Sequence, residues 1–343
     1  MLIVESQELP PGDVNVNSLL KNKNVKIAAD EFSAKPRCFV SARQKSICVL
    51  QYEAATVPFD AMITVGSEAA TTCVIALIVG NHGCTVLHFD EDTVHNPEYL
   101  DRALLMSHNG ADLYLVGGYE DENGTSRGIV EALLAWLHNQ NNHFRLLVAC
   151  VLKHNTKKTS DGKHSLPKIT SICISADTLK VSPAKFESRG PMIDQRSCRC
   201  LVGNQEETVD LFDMDTHEFT MHPFYFCLGD EMKTSFLEMG ELSDKELLPL
   251  VSTSQYAEDI GFAENFRLLL KYVCMYPNSN SMFRRSMDGS AERFTWNGKE
   301  WTRPQDRVRS GHTAGWMGTD HTRFASDITE RVMSRLGSMK MGL

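Results

Sequence analysis

The sequence contains no long unbroken apolar run and no excess of basic residues. None of its apolar segments approaches the roughly 20 residues that a membrane-spanning helix needs. Residues 1–13 lack a basic stretch followed by an apolar one, so we predict no signal peptide there. Asp and Glu (44) outnumber Lys and Arg (35), and the formal net charge is -9. Because phosphate neutralisation needs clustered cations, we expect neither nucleic acid nor a membrane as a partner.

The sequence also lacks a paired Cys-x-x-Cys motif. Its ten cysteines lie mostly inside apolar runs, which is typical of buried free thiols in a reducing compartment, so we expect the cytosol or the nucleus. Cys198, Cys200 and Cys227 are irregularly spaced with His217 and His222. We interpret them as buried or surface thiols rather than as a zinc site, and we expect no metal and no cofactor.

Apolar periodicity predicts both strands and helices. Residues 73–79 form the most apolar run, which a Gly-Asn-His-Gly turn stops. This segment and residues 85–89 are predicted to be the two strands of a hairpin. Helices are predicted over 126–139 and 259–275, and strands that pair with one another over 144–152 and 169–175. Because strands and helices do not alternate strictly, we predict an α+β fold, a β-sandwich of mixed sheets flanked by helices.

The distribution of apolar and polar residues along the chain predicts one domain followed by a tail. Residues 1–303 are interpreted as a single domain, in which the hairpin at about 66–92 carries the chemistry. Residues 304–343 are polar, except that Phe324, Ile328, Val332 and Leu336 repeat every four positions. This spacing is compatible with a short amphipathic helix.

Cys73 differs from the other cysteines in its position. It opens the apolar strand directly after the polar turn 66–72, where backbone N–H groups can serve a developing oxyanion. A thiol needs a base to become a nucleophile, and His88 on the returning strand is the best candidate. A third group, a hydroxyl or a backbone carbonyl, would then orient the imidazole, and hydroxyls are available from Ser67, Thr71 and Thr72. On spacing alone, such a pair is more often two packed residues than a catalytic dyad.

Ordered motifs add a family resemblance. Residues 66–73 (GSEAATTC), 88–90 (HFD), 115–119 (LVGGY) and 188–191 (SRGP) resemble the protein N-terminal asparagine amidohydrolase family. The resemblance implies that Cys73 is the nucleophile, His88 its partner and Ser67 the third group, on a fold similar to that of Cys-His deamidases.

The same resemblance implies a reaction and a substrate. The side-chain amide of an N-terminal asparagine, on a protein or a peptide, would be hydrolysed to aspartate with release of ammonia through a thioester. The product would enter the N-degron pathway of protein turnover.

Choosing an N-terminal residue requires groups that bind a free α-ammonium, and carboxylates are suited to this. Glu68, Asp90 and Glu120 flank the motifs and are our candidates, with Thr72 as a further substrate-binding residue. Three of them have a structural alternative: Thr72 as an ordinary turn or strand residue, and Glu68 and Asp90 as parts of a solvated loop.

Two other functions remain open at this stage. One is a deamidase of internal Gln or Asn side chains that uses the same dyad in a broader cleft. The other is a non-catalytic module that binds protein N-termini, although such a module would need neither Cys73 nor His88.

Overall fold

The computed structural model describes residues 2–4, 7–8, 15–107, 110–202, 209–286 and 289–304. Its strands are β1 (Leu2–Val4), β2 (Gln7–Glu8), β3 (Cys38–Val40), β4 (Ser46–Val49), β5 (Glu53–Pro58), β6 (Thr64–Ser67), β7 (Val74–Val79), β8 (Gly83–Phe89), β9 (Ala111–Gly117), β10 (Phe144–Cys150), β11 (Thr156–Lys158), β12 (Ser165–Pro167), β13 (Ile172–Ile174), β14 (Val181–Ser182), β15 (Ala184–Phe186), β16 (Val209–Asp210), β17 (Phe212–Asp213), β18 (Glu218–Met221), β19 (Glu292–Trp296) and β20 (Trp301–Thr302). Its helices are α1 (Val16–Lys21), α2 (Lys23–Ala34), α3 (Pro97–Asp101), α4 (Thr125–His138), α5 (Ile193–Val202), α6 (Asp230–Gly240), α7 (Asp244–Val251), α8 (Phe262–Met275) and α9 (Ser279–Met282).

The largest sheet has eight strands in the order β16-β5-β8-β7-β9-β10-β1-β2. The pairs β9–β10 and β10–β1 are parallel, whereas β5–β8, β8–β7 and β7–β9 are antiparallel. A second sheet has the order β14-β13-β6-β4, with β4 parallel to β6. The sheets are therefore mixed, as the sequence predicted.

Side chains alternate between the two faces of the central strands. On β7, Ile75 and Leu77 belong to one core cluster, which also contains Val65 of the second sheet. Val74 and Ala76 belong to another cluster, which contains apolar residues of α1 and α4. The large sheet thus packs against the second sheet on one face and against helices on the other, which confirms the α+β prediction. The likeness to Cys-His deamidases and the single-domain boundary stay predictions.

The predicted hairpin is confirmed and fixes the relative positions of the two candidate catalytic residues. β7 and β8 pair antiparallel, with Ile75 opposite His88. Cys73 stands two positions before Ile75, so the period of two places its side chain on the same face as those of Ile75 and His88. One strand pair therefore brings the thiol and the imidazole to the same side of the sheet.

The predicted pairing of residues 144–152 with 169–175 is wrong. β10 pairs in parallel with β9 and β1, because α4 connects β9 to β10 as a crossover helix. β13 instead pairs with β6, where Ile172 lies opposite Ser67. The helices predicted over 126–139 and 259–275 are confirmed as α4 and α8. The segment 324–336 of the predicted tail helix lies outside the described residues.

Within the described ranges, no helix has both the length and the apolar character that crossing a membrane requires.

Candidate active site

Cys73 lies at the end of the turn that connects β6 to β7, and its side chain is buried, with 7% of the residue exposed. The thiol is free. Burial, together with the charge of Asp90, holds the pKa of the Cys73 thiol well above its usual range, while a hydrogen bond from Gln51 acts in the opposite direction. The resting form is therefore a neutral thiol, and a base must take its proton during any attack.

The imidazole of His88 is hydrogen-bonded to the Ser67 hydroxyl, which donates its own proton to another acceptor. Ser67 Oγ donates to the carbonyl oxygen of Val49 at 2.6 Å and lies 2.8 Å from Nδ1 of His88. Since a serine hydroxyl has one proton, Ser67 must accept the second hydrogen bond from the Nδ1–H of the imidazole. The neutral ring then carries its basic lone pair on Nε2. Ser67 thus selects the tautomer in which Nε2 can act as a base.

The backbone of His88 is fixed by a second buried hydroxyl. The His88 N–H donates to Tyr99 Oη at 2.8 Å, and Tyr99 Oη donates to the carbonyl oxygen of Glu53 at 2.6 Å. The pairing of β5 with β8 ends at Ala54 opposite Leu87, and the Tyr99 hydroxyl bridges the two strands at the next position. Tyr99 is fully buried and extends the sheet by one hydrogen-bonded step at His88.

The turn between β4 and β5 carries Gln51, whose Nε2 donates to Sγ of Cys73 at 3.2 Å. A buried ion pair fixes this turn. Arg196 Nε donates to Glu53 Oε1 at 2.8 Å, and Nη2 donates to Oε2 at 2.7 Å. Oε2 also accepts from the N–H of Leu50 at 2.8 Å. Both charged residues are 1% exposed, and their bidentate pairing holds the turn against the sheet.

Glu68 follows Ser67 and also forms an ion pair. Its Oε1 accepts from Nε of Arg189 at 2.7 Å, and its Oε2 accepts from the N–H of Phe186 at 3.1 Å. Arg189, from the SRGP motif, therefore neutralises Glu68 close to the thiol. The contact joins the nucleophile turn to β15.

A cavity of about 580 Å³, its open mouth included, adjoins the thiol. Its lining combines residues of the nucleophile turn, the β4–β5 turn, α5 and the segment 251–262. The lining residues are Leu50, Gln51, Glu68, Ala69, Thr71, Thr72, Cys73, His88, Arg189, Ser197, Cys200, Val251, Ser252, Thr253, Glu258 and Phe262. Cys73, His88, Glu68 and Thr72, all predicted from the sequence, therefore meet at one cavity.

The other three predicted site residues do not line it. Ser67 is fully buried and reaches the site through His88. Asp90 is buried, and its Oδ1 accepts from Thr93 and from the N–H of Asp92. Burial raises the pKa of Asp90 to about 6. Glu120 is exposed and pairs with Arg127 at 3.5 Å.

Gln51, Thr253 and Glu258 are among the lining residues that were not predicted from the sequence. Thr253 Oγ1 lies 2.9 Å from Thr72 Oγ1. Oε1 of Glu258 accepts from the hydroxyls of Ser252 and Ser254. The segment that carries Thr253 and Glu258 has no motif of its own, so only the fold places it beside the thiol.

Gly117, at the end of β9, allows the backbone to pass close to the nucleophile. Its φ is +105°, and a Cβ there would lie 2.6 Å from the carbonyl oxygen of Cys73 and 2.7 Å from Cβ of Ala70. Any side chain would both strain the backbone and push the turn away. Gly117 of the LVGGY motif thus has a packing role at the nucleophile.

The fold and the site define an α+β protein in which a buried thiol and a tautomer-fixed imidazole face one cavity. The chain belongs to the protein N-terminal asparagine amidohydrolase family, whose model matches residues 38–303. It is therefore a member of a family of hydrolases that act on amides.

Named relatives agree with this assignment. The chain is 26% identical over 263 residues to protein N-terminal asparagine amidohydrolase of Homo sapiens, covering 71% of this chain and 81% of the human protein. It is 26% identical over 302 residues to the protein of the same name from Arabidopsis thaliana, covering 80% of this chain and 84% of the plant protein.

Proposed function

We propose that this protein deamidates the side chain of an N-terminal asparagine on proteins or peptides, giving aspartate and ammonia. The observation that carries the proposal is the hydrogen-bonded series Val49–Ser67–His88 beside Cys73 at one cavity, in a chain of the amidohydrolase family. The names of the human and plant relatives supply the substrate.

In the first step, Nε2 of His88 takes the proton from Cys73. Sγ bonds to the side-chain carbonyl carbon of asparagine, and the carbonyl electron pair moves to oxygen. The C–N bond then breaks, and the imidazolium returns the proton to the leaving nitrogen, so that ammonia departs and a thioester remains. Burial raises the pKa of the Cys73 thiol, so the attack depends on His88 as the base that takes its proton.

In the second step, water hydrolyses the thioester. His88 Nε2 takes a proton from the water as its oxygen bonds to the acyl carbon, and the C–S bond breaks. The sulfur recovers the proton from His88, and the product is a side-chain carboxylic acid, which releases the second proton of the water to solvent and becomes a carboxylate. Ser67 keeps Nδ1–H in place through both steps because it accepts from that nitrogen throughout.

Backbone donors of the nucleophile turn are proposed to contribute to oxyanion binding. The N–H groups of Ala70 and Thr71 already donate to the carbonyls of Thr170 and Ala69 at 3.0 Å each. The backbone donors to consider are therefore those of Thr72 and Cys73.

We propose Glu258 as the main partner of the substrate α-ammonium. Glu68 and Glu258 are the two acidic residues in the cavity lining. Glu68 forms an ion pair with Arg189, and two serine hydroxyls orient the carboxylate of Glu258. An ammonium bound there would place the N-terminal residue between Glu258 and Cys73.

We also propose that the reaction occurs in the cytosol or nucleus and supplies N-terminal aspartate to the N-degron pathway. Support for the compartment comes from the ten cysteines, all of which are free thiols.

The proposal is tested by ammonia release from a peptide that begins with Asn. We expect turnover of that peptide, little with its N-acetylated form, and little with peptides that carry Gln first or Asn internally. Equal turnover of the acetylated or internal-Asn peptide would instead favour a deamidase with a broader cleft.

The nucleophile is tested with Cys73→Ser, which should release no ammonia while keeping the wild-type melting temperature. Cys84→Ser is the matched control, because Cys84 is also a buried thiol of the same hairpin but does not line the cavity. Full activity of Cys73→Ser would refute the assignment. No turnover of any of the peptides by the folded wild-type protein would favour a binding module.

A further inference from the structure

Gln51 contacts the reacting sulfur with one half of its carboxamide and leaves the other half unsatisfied. Nε2 donates to Sγ of Cys73 at 3.2 Å. Oε1 is buried and has no hydrogen-bond partner among the described residues. The residue is 8% exposed and lines the cavity. A buried carbonyl oxygen without a donor destabilises the folded protein, so this acceptor is suited to a ligand donor.

We propose that Gln51 is a catalytic residue that pairs, carboxamide to carboxamide, with the side-chain amide being hydrolysed. This inference rests on the proposed function. The N–H of Nε2 that contacts Sγ is shared with the substrate oxygen, which becomes the oxyanion. Oε1 accepts from the substrate NH₂ group, which leaves as ammonia. Gln51 thereby contacts the sulfur, the oxygen and the nitrogen of the reaction.

The position of Nε2 supports its role toward the oxyanion. The carbon under attack bonds to Sγ, so its oxygen comes within reach of a donor that already contacts that sulfur. The same donor stabilises negative charge on sulfur, and this contact acts to lower the pKa of the Cys73 thiol. Donors fixed in advance at the site of developing charge are the most effective kind.

The surroundings of Gln51 keep it in place. Glu53, two positions later, holds the turn through its bidentate pair with Arg196 and its bond to the Leu50 N–H. Arg196 also donates to the carbonyl oxygen of Cys48 at 2.7 Å. Both sides of Gln51 are therefore anchored to the same buried ion pair.

Gln51 also distinguishes substrate from product. A primary amide offers Oε1 an N–H donor, whereas the carboxylate of the product offers only acceptor oxygens. Two acceptors facing each other in a buried site repel, because neither is satisfied. Amide is thus retained for reaction and carboxylate is released.

The test uses Gln51→Met, which keeps the length of the side chain and removes both hydrogen-bonding groups. We expect kcat to fall roughly 100- to 1,000-fold, the loss seen when one oxyanion donor is removed. Inhibition by an Asp-initiated peptide should be weak in wild type and several-fold stronger in the variant. Gln44→Met is the matched control: Gln44 donates to Thr64 at 2.8 Å, does not line the cavity and should leave kcat unchanged.

A substrate-free readout separates this inference from the proposed function. The pH dependence of Cys73 alkylation by iodoacetamide should shift to higher pH in Gln51→Met, because the sulfur loses its donor. Gln51→Glu, nearly identical in shape, should lose turnover as well and covers the case in which the Met variant does not fold. A folded Gln51→Met with kcat within twofold of wild type and an unchanged alkylation profile would overturn the inference. If the wild-type protein fails on Asn peptides, the proposed function falls, while the alkylation shift still decides whether Gln51 supports the sulfur.

Discussion

Ser67 Oγ lies 2.8 Å from Nδ1 of His88 and gives its own proton to the carbonyl oxygen of Val49. This relationship makes Ser67 a positioning residue that acts through the imidazole. It assigns the proton on Nδ1 and so determines which ring nitrogen can accept the proton of Cys73.

Replacing Ser67 with Ala should therefore lower kcat and leave KM within about twofold. The buried Nδ1–H would lose its acceptor, and a loss of about 1–3 kcal/mol corresponds to a roughly 5- to 150-fold fall in kcat. KM is spared because Ser67 does not line the cavity. Steady-state kinetics on the Asn peptide measure both constants. A raised KM with normal kcat would indicate that Ser67 acts on substrate binding.

Cys73 should react slowly with iodoacetamide at neutral pH, and its rate should rise with pH without a plateau below about pH 9. Burial raises the pKa of the thiol, and only the thiolate is alkylated. Peptide mass spectrometry can follow Cys73 and the exposed Cys227 in one sample, with Cys227 as the internal reference. Rapid alkylation of Cys73 with a plateau near about pH 6 would instead indicate a thiolate–imidazolium pair.

Asp90→Asn should make the stability of the protein less dependent on pH. The folded pKa of about 6 is raised from the ordinary 3.8, so the stabilisation from its protonated form is complete below pH 4 and is lost as the pH rises through 6. Linkage gives a loss of about 3 kcal/mol. Oδ1 of this carboxyl accepts hydrogen bonds from the N–H groups of Asp92 and Thr93 and from the Thr93 hydroxyl, and Asn retains this oxygen.

Urea unfolding of wild type and Asp90→Asn between about pH 4 and pH 7 measures the difference. Wild type should lose free energy of unfolding across this range relative to the variant. Parallel curves for the two proteins would contradict a raised pKa at Asp90.

Tyr99→Phe should reduce both stability and kcat. The N–H of His88 and the carbonyl oxygen of Glu53 would lose the hydroxyl that joins them, at a cost of about 1–3 kcal/mol. Because the ring remains, packing against Phe89 at 5.2 Å between centroids is kept. Thermal unfolding and the kcat of the Asn reaction are the measurements. A variant with wild-type stability would show that the two backbone groups find other partners.

Gly117→Ala should destabilise the protein and displace the nucleophile, because a Cβ would meet the carbonyl oxygen of Cys73. Gly162→Ala is a matched control: Gly162 also has a positive φ, +73°, but nothing lies within 4 Å of its Cβ position. The difference in melting temperature between the two variants isolates the crowding from the backbone strain. Equal melting temperatures and equal kcat would remove the crowding argument.

The parts of the fold that could be predicted are those encoded locally. The β7–β8 hairpin and helices α4 and α8 combine long apolar periodicity with clear stops. Helices α5, α6 and α7 were not predicted, since their apolar stripes are short and interrupted by polar residues. A capping box of Ser243 and Glu246 at the start of α7 was an available local signal.

The site residues that could be predicted are likewise those that lie close together in the sequence. Cys73, His88 and Ser67 are close in sequence, and the strand period alone brings two of them to one face. Gln51 reaches Cys73 across 22 positions, and Thr253 reaches Thr72 across 181. Such contacts depend on how the turns pack onto the sheet, which hydrophobic periodicity does not encode.

The buried pair of Glu53 and Arg196 constrains how this sequence can diverge. Both side chains are 0–1% exposed. Removing one charge would leave the other buried and unpaired, which lowers the free energy of unfolding by about 3–5 kcal/mol. A single substitution at either position would therefore remove a large part of the free energy of unfolding of a domain of ordinary stability. We expect positions 53 and 196 to change together or not at all among relatives, so the two positions should co-vary.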